Sequence, residues 1–205
     1  SRGKKSDIRV TKISVIIDES TGKIIVQNDG SGIDVDMHPT EKKEDGSPLW
    51  IPEMIFGHLL TSTNYDKSET KVVGGKNGYG AKLTNIFSKF FRIETVDHIR
   101  GKKFLQTYGD NMRECKKPVI TDFKSKPYTR ITWIADFERF GVEGYSSSMI
   151  ALMKRRVYDI AGITSSKVSV NLNKKKVEVK DFMDYSRMYL TSDDPLAYCE
   201  INPRW

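Results

Sequence analysis

The chain has 205 residues, 38% of them hydrophobic and 30% charged, with a formal net charge of +7. That length can bury a real core and suits one domain, or one with a small extra piece, and the composition is that of a globular protein with a heavily charged surface. No apolar run approaches the length of a membrane span, and the start carries no secretory signal.

The two cysteines, Cys115 and Cys199, stand far apart without metal-ligand spacing and read as reduced thiols of an intracellular protein. The positive charge suits an acidic partner such as nucleic acid or a nucleotide, although many domains this basic bind no polyanion.

Taken in order, Val10, Ile13, Val15 and Ile17 predict a first strand, Asp18–Gly22 a turn, and Ile24-Ile25-Val26 a returning strand, so the chain opens on a hairpin. It leads into Gln27-Asn28-Asp29-Gly30-Ser31-Gly32-Ile33, a glycine-bearing loop with polar residues at its mouth. Residues 34–48 are polar and rich in charge, Gly and Pro, and read as surface loop. Ile51 to Leu60, with Pro52 near its start, predicts a short helix. The hydroxyl and amide run Thr61-Ser62-Thr63-Asn64-Tyr65-Asp66 follows.

The next segment, Val72 to Leu83, packs four glycines (Gly74, Gly75, Gly78, Gly80) into seven residues and runs into a helix on which Leu83, Ile86 and Phe87 sit at helical spacing. Glycines let a backbone approach an anion, successive N–H groups can converge on it, and the helix start adds partial positive charge. Lys76 and Lys82 can add full charges. The pattern is Gly75-x-x-Gly78-x-Gly80, which is neither a P-loop, since no Gly-Lys-Ser/Thr closes it, nor the Gly-x-Gly-x-x-Gly of a dinucleotide fold.

Strands are then predicted at Phe90–Val96, Lys103–Tyr108, Val119-Ile120 and Thr129–Ile134, the first two joined by a turn at 98–101. Ser146 to Ser148 can cap a helix with Met149, Leu152, Met153, Val157 and Ile160 on one face, ended by Gly162. Val168–Val170 and Val177–Val179 predict a small hairpin about the 171–176 turn. Asp181 starts a last helix whose Phe182, Tyr185, Met188 and Tyr189 read as core. The sum is an α+β sandwich: one mixed sheet with helices packed on one face.

Three polar loops, at 28–33, 61–65 and 74–82, together contain what a nucleotide needs: an amide for adenine, hydroxyls for ribose and phosphate, and a glycine loop for the triphosphate. Asn28-Asp29-Gly30-Ser31-Gly32-Ile33 resembles the first glycine box of the GHKL ATPases (gyrase, Hsp90, MutL, histidine kinases), and Gly75-x-x-Gly78-x-Gly80 resembles their second, the ATP lid. The longer blocks Ile55–Asp66, Gly74–Leu83, Lys154–Gly162 and Asn202–Trp205 resemble, in order, the ATPase domain of eukaryotic-type DNA topoisomerase II, so the likeness covers nearly the whole chain.

The resemblance implies a GHKL (Bergerat) ATP-binding sandwich, a single domain over residues 1–205, with ATP and Mg²⁺ as cofactors. Asn28 matches the residue that reads adenine, and its oxygen can accept where many GHKL proteins carry Asp. Ile33, Ile55 and Phe56 would pack near the base, and Thr129 would floor the pocket. Ser62, Thr63 and Asn64 match the run that bonds ribose and phosphate. Gly75, Lys76, Asn77, Gly78, Tyr79, Gly80, Ala81 and Lys82 match the lid, with Lys82 at the phosphates.

The parent protein would be an ATP-hydrolysing DNA topoisomerase that passes one duplex through another, with DNA and a second copy of itself as partners, no membrane, and a nuclear location in a cellular eukaryote. The general-base Glu and the Mg²⁺-binding Asn of the family are expected on a helix upstream of Ser1, so no catalytic or metal residue is assigned within the chain. The chain reads as an N-terminally incomplete piece that binds ATP and hydrolyses it poorly. The alternatives are an Hsp90-like or MutL-like ATPase, against which Gly78–Lys82 and Arg155–Asp159 argue, and a basic, non-enzymatic module that contacts DNA or protein. His38, His58 and His98 show no metal spacing, and Lys174–Lys176 reads as a solvated hairpin turn.

Overall fold

The computed structural model describes residues 8–58 and 78–191. The opening hairpin pairs β1 (Lys12–Asp18) with β2 (Lys23–Asn28), and Asp18 closes its turn by accepting from the hydroxyls of Ser20 (2.6 Å) and Thr21 (2.7 Å). A second hairpin of β3 (Met37–Lys42) and β4 (Pro48–Trp50) stands apart as a two-stranded sheet and runs into α1 (Ile51–Gly57). After α2 (Gly80–Ile86) come β5 (Ser88–Asp97), β6 (Lys102–Gly109), β7 (Glu114–Cys115), β8 (Val119–Asp122) and β9 (Tyr128–Ala135). The chain then forms α3 (Ser147–Ile163), β10 (Ser169–Leu172), β11 (Lys175–Lys176) and α4 (Phe182–Arg187).

Nine strands make one sheet in the order β11-β10-β1-β2-β9-β5-β6-β7, with β8 also paired to β6. Only β1–β10 is parallel; every other neighbour pair is antiparallel, so the sheet is mixed.

Alternation sorts each strand between two faces. Ile13, Val15 and Ile17 of β1 and Ile24 and Val26 of β2 face the helices. They continue across the sheet into a core where Phe91, Ile93, Phe104 and Tyr108 pack on Phe56 of α1 and Val35. A second cluster joins Val157 and Ala161 of α3 to Val170 and Val177. Ser14, Lys23, Gln27, Arg92, Glu94 and Arg130 point to the opposite face, where Glu94 pairs with Arg130 at 3.2 Å and Lys103 at 3.5 Å. The α+β sandwich with helices on one face is therefore what forms.

Local departures have physical causes. Residues 34–48 are not simply surface loop: Val35 and Leu49 are buried, and the β3–β4 hairpin between them exposes its polar positions. α1 closes at Gly57, with His58 extended. On α2, Leu83 is 45% exposed while Lys82 and Asn85 are buried, so the apolar spacing there does not mark the packed face. Ser146 caps α3 as its position suggests, accepting from the Met149 N–H at 3.2 Å, but the helix runs on through Gly162 to Ile163. Asp181 likewise caps α4, yet Phe182, Met188 and Tyr189 are exposed rather than core. That short helix is held through Tyr185, whose hydroxyl donates to Asp159 of α3 at 2.6 Å.

Candidate nucleotide-binding site

Asn28 ends β2 on the helix-covered side, two residues beyond Val26, and lies in register with Ile13 on β1 and Thr129 on β9. Its Oδ1 accepts from the Gly30 N–H at 3.1 Å, which turns the chain out of the sheet. Thr129 is in turn opposite Thr95 on β5, with their hydroxyls 2.9 Å apart. Thr95 is wholly buried and accepts the Ile33 N–H at 2.9 Å. Ile33, Ile55 and Phe56 border the same core cluster. The structure thus brings Asn28, Thr129 and Ile33 together at the Thr95 end of the covered face, although Asn28 and Thr129 lie about a hundred residues apart in sequence, while Phe56 packs on Phe91 farther along β5.

An apolar cleft of about 440 Å³ runs from Asn28 along β1 and β2 beneath α3, lined by Ile13, Val15, Val26, Met153, Val157 and Ile160 among others. Of the residues the resemblance places at the base, Asn28 alone lines this cleft.

The loop from Asn28 is pinned along its length. Asp29 accepts from the N–H groups of Thr11 and Lys12 at 2.8 and 2.7 Å. Burial raises its pKa, but the Thr11 hydroxyl and those N–H groups outweigh it and hold the carboxyl below its usual range. Gly32 adopts φ +78°, and a Cβ there would lie 1.9 Å from the Val96 carbonyl oxygen, so the loop presses directly on β5. The Val35 N–H donates to Asp97 Oδ2 at 2.9 Å, and His98 Nδ1 sits 3.0 Å from the Ser31 carbonyl.

Of the lid positions, Gly78, Tyr79, Gly80, Ala81 and Lys82 are described. Tyr79 is exposed at the head of α2, and Gly78 takes φ +68°. Lys82 is 3% exposed and its Nζ donates to the Gly78 carbonyl at 3.2 Å, turned toward its own glycine loop; burial lowers its pKa. Asn85 Nδ2 donates to the Phe56 carbonyl at 3.2 Å and ties α2 to α1. Ser62, Thr63, Asn64, Gly75, Lys76 and Asn77 lie outside the described residues.

Thr95, Asp97 and Arg100 join the site without any motif to announce them. The buried hydroxyl and the acid at the end of β5 acquire meaning only once register brings them under the loop. Among the described residues, no group of three His, Cys, Asp or Glu is arranged to hold a metal ion, and no helix is long and apolar enough to cross a membrane.

The solved structures this fold resembles place it in the class of α+β ATPase regions. The ATPase region of Saccharomyces cerevisiae topoisomerase II matches with a TM-score of 0.80 at 44% identity, over 88% of this chain and 46% of that one. The ATPase and transducer domains of Balamuthia mandrillaris DNA topoisomerase II match with a TM-score of 0.79, also at 44% identity, over 88% and 45%.

Curated relatives give the particular family. DNA topoisomerase 2 of Penicillium chrysogenum is 42% identical over 98% of this chain, and that of Acanthamoeba polyphaga mimivirus is 50% identical over 86%. No family model matches the chain. The chain belongs to the DNA topoisomerase II family and corresponds to part of its ATPase region; it spans 13% of the length of those curated relatives.

Proposed function

We propose that the chain is the ATP-binding part of a type IIA DNA topoisomerase, in which ATP binding closes a dimer gate on DNA. The observation that carries this reading is the meeting of Asn28, Thr129 and Ile33 around Thr95 at one end of the covered face, in a chain 44% identical to a topoisomerase II ATPase region.

The described residues fit adenine. The Asn28 oxygen uses one lone pair on Gly30, which leaves a second acceptor site and both amide donors for the edge of the base. Ile33 and Ile55 supply apolar walls, and the Thr95–Thr129 hydroxyl pair gives a polar floor. Gly78 to Lys82 would face the phosphates, where an arriving anion would take the Lys82 ammonium in place of the Gly78 carbonyl. Ser62, Thr63, Asn64, Gly75, Lys76 and Asn77 complete the set by resemblance.

Mg²⁺ accompanies ATP in that resemblance; the carboxylates beside the described site, Asp29 and Asp97, are committed to backbone N–H groups and do not fit as its ligands. Residues 1–205 form one domain in this reading. In a cellular eukaryote the parent would act in the nucleus, on DNA, as a homodimer.

Thermal unfolding with and without a non-hydrolysable ATP analogue tests the reading. At about a hundred times its dissociation constant the ligand adds about 2.7 kcal/mol of stability. Asn28→Leu should remove the gain. No gain with the nucleotide, but one with a DNA duplex, would replace this reading with that of a basic binding module.

A further inference from the structure

The loop that leaves Asn28 is gripped from outside by a single cation. Arg100, in the turn between β5 and β6, reaches three carboxylates on two segments of chain. Its NH1 donates to Asp97 Oδ2 at 2.8 Å and lies 3.5 Å from Asp34 Oδ1; its Nε and NH2 donate to Asp36 Oδ2 at 3.2 and 2.9 Å.

Asp97, 2% exposed, passes the grip inward by accepting the Val35 N–H through the same Oδ2, while its Oδ1 accepts from Ile99 and Arg100 N–H groups at 2.9 and 3.2 Å. Asp36 passes it sideways, because its carbonyl accepts the Ile51 N–H at 2.9 Å where α1 begins. To the direct bonds of the loop with β5, Arg100 thus adds a link that joins Asp34 and Asp36, next to the start of α1, to Asp97 of the sheet. Without it, three carboxylates face one another and repel.

We propose that Arg100 is a positioning residue of the nucleotide site: it touches no ligand, and sets the height of the 29–36 loop over β5 and the seat of α1, and so the shape of the base pocket. The proposal rests on the ATP reading above. Its consequence is graded. Loss of Arg100 weakens binding of the adenine half of the ligand more than that of the phosphate half, because the glycine loop at 78–82 meets the gripped segment at one remove, through the Asn85–Phe56 bond between α2 and α1.

The test compares Arg100→Ala, Arg100→Lys and Asp36→Asn with Lys154→Ala. The last breaks the Lys154–Glu19 pair (2.7 Å), which lies on α3 and the first turn. Calorimetry with a non-hydrolysable ATP analogue, adenosine and inorganic tripolyphosphate is paired with hydrogen exchange at the Ile33 and Val35 amides. Arg100→Ala should exchange faster at both amides and lose about tenfold in affinity for the analogue and for adenosine, equivalent to about 1.4 kcal/mol, with a clearly smaller loss for tripolyphosphate.

Asp36→Asn, at the exposed end of the grip, should lose about threefold and serves where Arg100→Ala does not fold. Arg100→Lys should recover part of the loss, since one ammonium cannot span three carboxylates. Lys154→Ala should move neither readout. Unchanged affinity in Arg100→Ala and Asp36→Asn, with binding still abolished by Asn28→Leu, would overturn the proposal and leave the ATP reading standing. Equal losses for adenosine and tripolyphosphate would reduce Arg100 to a general stabiliser. A wild-type chain that binds no nucleotide would overturn both.

Discussion

Gly32 is the point where the loop from Asn28 bears most heavily on the sheet, and its replacement by Ala has a cost that can be worked from the contacts. The residue sits at φ +78°, a region that costs an L side chain about 1–2 kcal/mol. A Cβ there would also meet the Val96 carbon at 2.7 Å and the Val96 oxygen at 1.9 Å, the latter about 1.5 Å short of ordinary van der Waals contact. Both neighbours are backbone of a central strand, so it is the loop that must lift.

Lifting it breaks the Ile33–Thr95 hydrogen bond, worth about 1 kcal/mol, and the Val35–Asp97 bond, worth about 1.5–3 kcal/mol because the acceptor is charged. Gly32→Ala should therefore cost about 4 kcal/mol, a fall in Tm of about 8–16 °C for a chain of this size. Gly46 is the control: its φ is also +78°, and nothing lies within 4 Å of its would-be Cβ. Gly46→Ala should show the backbone strain alone, about 1–2 kcal/mol. Urea unfolding of the two variants and the parent, with m-values compared, reads the difference directly. Equal destabilisation by the two substitutions would refute the claim that the loop is seated on β5.

Other outcomes follow from single contacts. The hydroxyls of Ser20 and then Thr21 hold the Asp18 carboxyl down at about 2. A folded pKa below the unfolded one stabilises above the unfolded value and loses that contribution as pH falls through the folded value. Asp18→Asn should therefore flatten the decline in stability between about pH 4 and pH 2, seen in Tm against pH; a slope identical to the parent's would contradict it. Ser146→Ala removes the cap of α3 and should cost about 1 kcal/mol, or about 2–4 °C in Tm.

Much of the fold can be read in the chain where local chemistry is decisive. The β1–β2 hairpin follows from alternation and the Asp18–Gly22 turn, and the starts of α3 and α4 from Ser146 and Asp181, because each signal acts within a few residues. The β3–β4 hairpin hides in residues 34–50 because only Val35 and Leu49 bury themselves, too sparse a pattern against its charged positions. Leu83 and Lys82 exchange the expected roles on α2 because that helix packs by its polar edge, with Asn85 bonded to Phe56.

At the candidate site, Asn28 and Thr129 can be named from motifs, but that they stand side by side is a property of the β2–β9 register. Thr95, Asp97 and Arg100 carry no local signature. Their part comes from the way Gly32 lets the loop descend onto β5, which no spacing rule encodes.

The central claim is that adenine is read at Asn28 on the covered face of the sheet. Titrating isotope-labelled protein with a non-hydrolysable ATP analogue, and mapping amide and side-chain shifts by NMR, tests it most directly. Shifts should concentrate at the Asn28 side-chain amide, Ile33, Thr129 and Gly78–Lys82. Shifts confined to the opposite face, at Lys23, Arg92 and Arg130, or to Lys174 and the adjoining β11, with Asn28 unmoved, would contradict it.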